Sequence, residues 1–172
     1  RCWIDPGQHG PLDVVHGIQN SCNVFFCTLG YRLGLDENGT FTQKRSLEMI
    51  QKYADMFKLD EKTGIEISET DPNVTDSLPI PSSIGQGTNN YTTTQRARYV
   101  TTIANSGTVY NLSLLQKATD SDGNDIDMGA DFGPTVNSEM DVDSSIWDLV
   151  HEGMRKVISV SNATIFPESW PV

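Results

Sequence analysis

Basic residues are scarce in this chain. Lys and Arg number 12 against 23 Asp and Glu, for a formal net charge of -11 and a pI near 4.5. A surface of that sign argues against nucleic acid or anionic lipid as a partner. Cysteine is sparse too: there are 3, an odd number from which no closed disulfide framework follows. Cys2, Cys22 and Cys27 lack the short paired spacing of a zinc site. They read as buried free thiols, and no metal or cofactor is expected. No apolar run is long enough to span a bilayer, and the first residues do not read as a signal peptide. Internal repeats and low-complexity tracts are absent.

What remains suits one domain or a large part of one. The chain has 172 residues, 37% hydrophobic and 20% charged, enough for a core and unlike a disordered segment. It starts at Arg1 without an initiator Met and ends on the apolar Ser169-Trp170-Pro171-Val172. A piece of a longer protein is expected, with any anchor or targeting segment outside it.

The stretch from Leu12 to Gly34 organises the rest. A helical period runs through Val14, Val15 and Ile18, and another through Phe25, Leu29 and Leu33. Between them stand Ser21, Cys22 and Asn23. Ser and Asn bond local backbone and favour caps and breaks. The pattern predicts one helix ending near Asn20, a tight corner and a second helix from Asn23, closed by Gly34 in the left-handed conformation. Taken alone, the triplet is a helix N-cap. At such a corner Ser21 and Asn23 can also point into one cleft, each able to donate and accept.

Glu37-Asn38-Gly39 predicts a turn, and a helix is expected from about Thr42 to Leu59. Residues 60 to 91 read as irregular, with Glu66 and Glu69 as local caps or pairs on a surface excursion. Thr92 and Gln95 predict a capping box opening a helix whose buried face is Ala97, Val100, Ile103 and Ala104. Residues 108 to 119 read as strand. Asp120-Ser121-Asp122-Gly123 resembles a calcium loop, but Gly is fourth rather than sixth and the twelfth residue is Asp131, not Glu. A hairpin is expected there instead. Residues 130 to 143 read as loop. Ser145 and Asp148 are read as the cap of a final helix with Ile146, Leu149, Val150, Met154 and Val157 on its apolar face. The five Asn-x-Ser/Thr sequons, at Asn38, Asn73, Asn90, Asn111 and Asn162, are attributed to chance in a chain rich in Asn and Thr.

Several segments together resemble class B penicillin-binding proteins. His9-Gly10 and then Ile18 through Phe26 are similar to their Ser-x-Asn region, and Thr63-Gly64-Ile65-Glu66 through Glu69 to a structural segment that follows. Ile84-Gly85-Gln86-Gly87, Tyr91 through Tyr99 and Ile103-Ala104-Asn105-Ser106-Gly107 resemble the family's most recognisable stretch. Order and spacing agree over nearly the whole chain. One departure is Thr93, where the family usually has Pro at the start of the helix.

The resemblance implies an α+β, mainly helical fold: the helical lobe of a penicillin-binding transpeptidase or serine β-lactamase-like domain, with a small β-hairpin and without most of the central sheet. It implies a D,D-transpeptidase that cross-links peptidoglycan stem peptides through an acyl-serine and is acylated by β-lactams. Its place would be the extracytoplasmic face of the bacterial membrane. Such enzymes set Ser-x-x-Lys, Ser-x-Asn and Lys-Thr-Gly around one cleft. Here Ser21 and Asn23 supply the second, as catalytic and substrate-binding residues, and no Ser-x-x-Lys occurs. Lys62-Thr63-Gly64 spells the third, but the family's lies on a strand after the last helix, so Lys62 is read as a coincidence. Residues 1 to 172 are then the middle of a larger domain, inactive alone, and expected to self-associate through bared apolar helix faces. A β-lactam sensor, a transpeptidase-like scaffold and a serine β-lactamase are the competing readings.

Overall fold

The computed structural model describes residues 2–127, 129 and 133–161. It forms two compact units. The first comprises the described residues of Arg1–Lys52, Thr75–Asn89 and Val142–Val172, the second those of Tyr53–Val74 and Asn90–Asp141.

In the first unit, helix α1 (Val14–Gln19) starts at Asp13, whose carboxylate accepts from the His16 backbone N–H at 2.8 Å. Helix α2 (Asn23–Leu33) follows after the expected corner. Gly17 of α1 lets the two helices close on each other, because a Cβ there would lie 2.7 Å from the Phe25 ring. Gly34 ends α2 with φ −87°, not in the left-handed conformation the sequence suggests. Its role is clearance: a Cβ would come within 2.5 Å of Phe41. Helix α3 (Gln43–Met56) is tied to α2 by the buried Ser46 hydroxyl, which donates to Gly30 O at 2.8 Å. Helix α4 (Pro79–Ser82) packs on α2. Beside it, the hydroxyls of Thr75 and Ser82 are buried and 2.7 Å apart.

In the second unit, helix α5 (Thr93–Ala104) has the expected capping box, with Thr92 and Gln95 each bonding the other's backbone N–H. Its buried face differs from the expected one. Gln95, Arg98, Thr102 and Ile103 are buried, while Val100 is 52% exposed. Strand β1 (Thr108–Asn111) is shorter than expected, and β2 (Ala118–Thr119) pairs with β3 (Asp125–Ile126) in the hairpin predicted across Asp120–Asn124. Strand β4 (Thr135–Glu139) replaces an expected loop. It runs antiparallel to β1, Thr108 facing Glu139 and Asn111 facing Thr135, with a bulge at Val109/Tyr110. Its partner lies too far along the chain for local pattern to announce it.

The last helix, α6 (Ser144–Lys156), belongs to the first unit and packs on α1. Its cap is Asp143, accepting from the Ser145 backbone N–H at 2.8 Å, rather than the expected Ser145 and Asp148 pair. Trp147 and Gly153 are its buried residues, whereas Ile146, Leu149 and Met154 are exposed. The fold is thus α+β and mainly helical, as expected.

Glu66 and Glu69 do more than cap locally. Glu69 accepts from Thr63 N–H at 2.8 Å and from the Thr94 hydroxyl at 2.6 Å, joining the segment after α3 to α5. Glu66 accepts from Leu114 N–H at 2.8 Å and from the Ser113 hydroxyl, holding the segment after β1. The Leu114 amide is the main reason that its carboxyl falls to about 2, well below the usual carboxylate range. A carboxyl depressed in the fold adds stability that is full above its unfolded value, about 4.3, and is lost as pH falls through the folded one. Glu66→Gln should therefore flatten the fall of melting temperature between about pH 4 and pH 2. An unchanged acid limb would contradict the assignment.

Candidate functional site

The chain from Cys2 to Asn23 folds back on itself. Trp3 Nε1 donates to Asn20 O at 2.9 Å, and Asn20 Nδ2 donates to His16 O at 2.9 Å. This closes the end of α1 against the leading loop. The corner that follows is tight. Ser21 N–H bonds Ile18 O at 3.0 Å and Cys22 N–H bonds Gly17 O at 3.1 Å, with Ser21 at φ +45°. Left-handed backbone is unusual for a residue with a side chain and gathers at functional corners.

The sequence reading of Ser21 as a helix cap does not hold. The residue in the N-cap position of α2 is Cys22, which makes no side-chain cap bond, and Asn23 is the first helical residue. Ser21 sits one step earlier and is exposed, so its hydroxyl is presented to solvent rather than spent on the helix end. Cys22 turns inward, 5% exposed, and Asn23 is half-buried beside it. The corner therefore sets a hydroxyl and an amide on either side of one buried thiol.

The thiols are not placed as expected. Only Cys22 is buried, and Cys2 and Cys27 are half-buried. Cys2 Sγ lies 3.8 Å from Cys22 Sγ and 3.5 Å from His9 Nδ1. Burial pushes the Cys2 thiol up, but hydrogen bonds with the backbone of Ile4, Asn23 and Trp3 and with the Cys22 side chain hold it below the ordinary thiol range. The sequence reading missed this group because the residues are 7 and 20 positions from Cys2, spacings that fit no familiar site. The one available signal was a Cys and a His in the loop that folds back onto the corner.

Lys62-Thr63-Gly64 lies on irregular backbone in the second unit, not on a strand. Lys62 Nζ pairs with Asp71 at 2.9 Å, and Thr63 is fully buried with its hydroxyl donating to Glu69 at 2.9 Å. Both side chains are thus engaged within the second unit.

The fold and corner define a class, and comparison with known proteins gives it a name. Residues 3–170 match the penicillin binding protein transpeptidase domain. The chain belongs to that family. It is 25% identical over 95% of its length to the peptidoglycan D,D-transpeptidase MrdA of Escherichia coli, covering 26% of that protein. It is 30% identical to stage V sporulation protein D of Bacillus subtilis over 70% of its length and 18% of that protein's. Among solved structures, penicillin-binding protein A of M. tuberculosis, as an imipenem acyl-enzyme complex, matches 95% of the chain and 35% of its own with TM-score 0.69 and 19% identity. The first of these curated relatives, MrdA, is thus matched over about a quarter of its length.

Proposed function

We propose that residues 1–172 are the middle segment of a peptidoglycan D,D-transpeptidase that cross-links stem peptides through an acyl-serine intermediate and is acylated by β-lactams. The observation that carries this reading is the Ser21-Cys22-Asn23 corner between two helices, in a chain of the transpeptidase family. Family membership and the named activity of the MrdA relative support it. Acyl transfer needs a nucleophile, a base, a proton path to the leaving nitrogen and an oxyanion hole. Ser21, exposed at its left-handed turn, relays a proton between the lysine of a Ser-x-x-Lys helix and the leaving nitrogen. Asn23 hydrogen-bonds the substrate's amide and steadies that lysine. The nucleophile, its lysine and the catalytic Lys-Thr-Gly strand would come from flanking sequence. The full-length protein acts on the outer face of the membrane, anchored outside these residues.

Intact mass after incubation with benzylpenicillin tests this. The full-length protein should gain one covalently bound penicilloyl group. The 172-residue chain alone should gain none, and should associate through the face bearing Ile146, Leu149 and Met154. No adduct on the full-length protein would move the assignment to a non-catalytic scaffold. An adduct on the short chain would mean that it carries its own nucleophile.

A further inference from the structure

We propose that Gly153 of α6 is a positioning residue for the reaction: its close contact with α1 sets where Ser21 stands relative to Asn23. The proposal rests on the transpeptidase reading of those two residues. It starts from how the corner is held. α1 has six residues, too few to be stable alone in water, so packing decides its position. It packs on α6. α2 packs instead on α4, and a Cβ on its Gly30 would lie 2.9 Å from the Ser83 side chain just after α4. The Ser46 hydroxyl of α3 holds the Gly30 carbonyl as well. The corner is therefore a joint between two helices with different anchors.

Ser21 and Asn23 stand on opposite sides of that joint. Ser21 goes with α1: its N–H bonds Ile18 O at 3.0 Å, and the next N–H, of Cys22, bonds Gly17 O at 3.1 Å. Asn23 goes with α2, as its first residue. The placement of the hydroxyl against the amide thus follows from where α6 holds α1.

Gly153 makes that hold tight. It is buried, and a glycine inside a helix weakens the helix. Its backbone is ordinary helix, so no left-handed turn accounts for it. Clearance does. A Cβ there would lie 2.9 Å from Ile18 Cβ, 3.1 Å from Val15 O and 3.2 Å from Ile18 Cδ1. The first two atoms are backbone or fixed directly to it, so no rotamer change relieves the crowding. Carbon atoms pack at about 3.5–4.0 Å, so α1 would have to back away by roughly 0.5 Å. Ile18 also supplies the carbonyl that carries the Ser21 turn, so the displacement passes directly to the hydroxyl. Asn23 stays with α2.

Acylation of the full-length protein by benzylpenicillin, resolved into a non-covalent dissociation constant and a first-order acylation step, tests this. Gly153→Ala should slow the acylation step about 10-fold, since a 1 Å misplacement can cost about 100-fold and this one is half as large. The dissociation constant should stay within about twofold. Alanine favours the helix and offsets part of the crowding, so the variant should fold, melting at most about 8 °C lower. The deciding comparison is made in the Ser21→Ala background. A hydroxyl that is absent cannot be misplaced, so there Gly153→Ala should slow the step by less than about twofold. If Gly153→Ala does not fold, Ile18→Val probes the same contact from the other side. It removes Cδ1 and should slow acylation about 3-fold, again only while Ser21 is present. An unchanged acylation step in the folded variant would overturn the positioning role. So would a slowing of equal size with and without Ser21, and both would leave the transpeptidase reading standing. That reading fails instead if the parent protein gains no penicilloyl group, or its proton relay if Ser21→Ala reacts at full rate, and the role of Gly153 then falls with it.

Discussion

Replacing Arg98 by Met is expected to destabilise the second unit by about 3–5 kcal/mol, because three backbone carbonyls lose their donor at about 1–3 kcal/mol each. Arg98 is 2% exposed at the middle of α5. Its Nη1 donates to Lys62 O at 3.2 Å, and its Nη2 donates to Glu61 O at 3.1 Å and to Lys58 O. The Glu61 carboxylate is 3.7 Å away. Burial pulls the guanidinium down from its ordinary value, and the charges of Glu61, Glu69 and Asp60 work against that. One side chain thus organises the whole bend after α3. A buried ion pair can sometimes be replaced by apolar groups without loss, but only when both partners go. Here the main acceptors are backbone carbonyls, which no substitution removes. Met fills the space and leaves them without a donor. Lys supplies one compact charge in place of a fork, so Arg98→Lys should recover less than half of the loss. For a domain of this size the Met variant should lower the melting temperature by roughly 6–20 °C in a thermal melt of the full-length protein. A shift within about 2 °C would show that water takes over the carbonyls at little cost.

Arg98 also shows where the sequence stops being informative. The helix around it was legible, with its start at Thr92 and its end at Asn105-Ser106-Gly107, because caps and period are local signals. The buried face was not. Periodicity assigns apolar residues to the core, which favoured Ala97 and Val100. The structure buries Gln95, Arg98 and Thr102 instead. Gln95 and Arg98 earn that position by bonding carbonyls 34 to 40 residues away, Glu61, Lys62 and Lys58. No pattern within α5 contains that information. The same holds for β4, whose ladder depends on β1 some two dozen residues earlier, and for the face of α6, where one buried Trp147 outweighs the longer apolar stripe.

The candidate site divides in the same way. The break at Ser21-Cys22-Asn23 was legible because two helical periods stop on either side of it. The chemistry proposed for it comes only through resemblance, since a hydroxyl and an amide at a corner read equally well as a cap. Geometry then removes the cap: the N-cap position is Cys22, and Ser21 is one residue outside the helix in a left-handed turn. The thiol and imidazole group was invisible, because what joins Cys2, His9 and Cys22 is the fold-back sealed by Trp3 and Asn20.

That geometry makes the strongest functional prediction separable from stability. In the full-length protein, Ser21→Ala should slow acylation by benzylpenicillin by about 10²–10⁴-fold, the usual worth of a positioned acid–base group. It should leave the melting temperature within about 2 °C, because exposed side chains outside the packing rarely matter to the fold. Both halves follow from where Ser21 sits. Its backbone N–H carries the turn by bonding Ile18 O, and that bond survives the substitution. Its side chain is exposed and does not cap α2. Alanine keeps a Cβ and so keeps the cost of the left-handed backbone. Ser21→Gly removes both the hydroxyl and that cost. If the hydroxyl is the working part, the two variants should be equally slow while Gly melts slightly higher. If backbone strain were the working part, Ala would react nearly as fast as the parent and Gly would not. An undiminished rate in Ser21→Ala would remove the proton-relay role, and a large fall in melting temperature would return Ser21 to the structural role that its sequence first suggested.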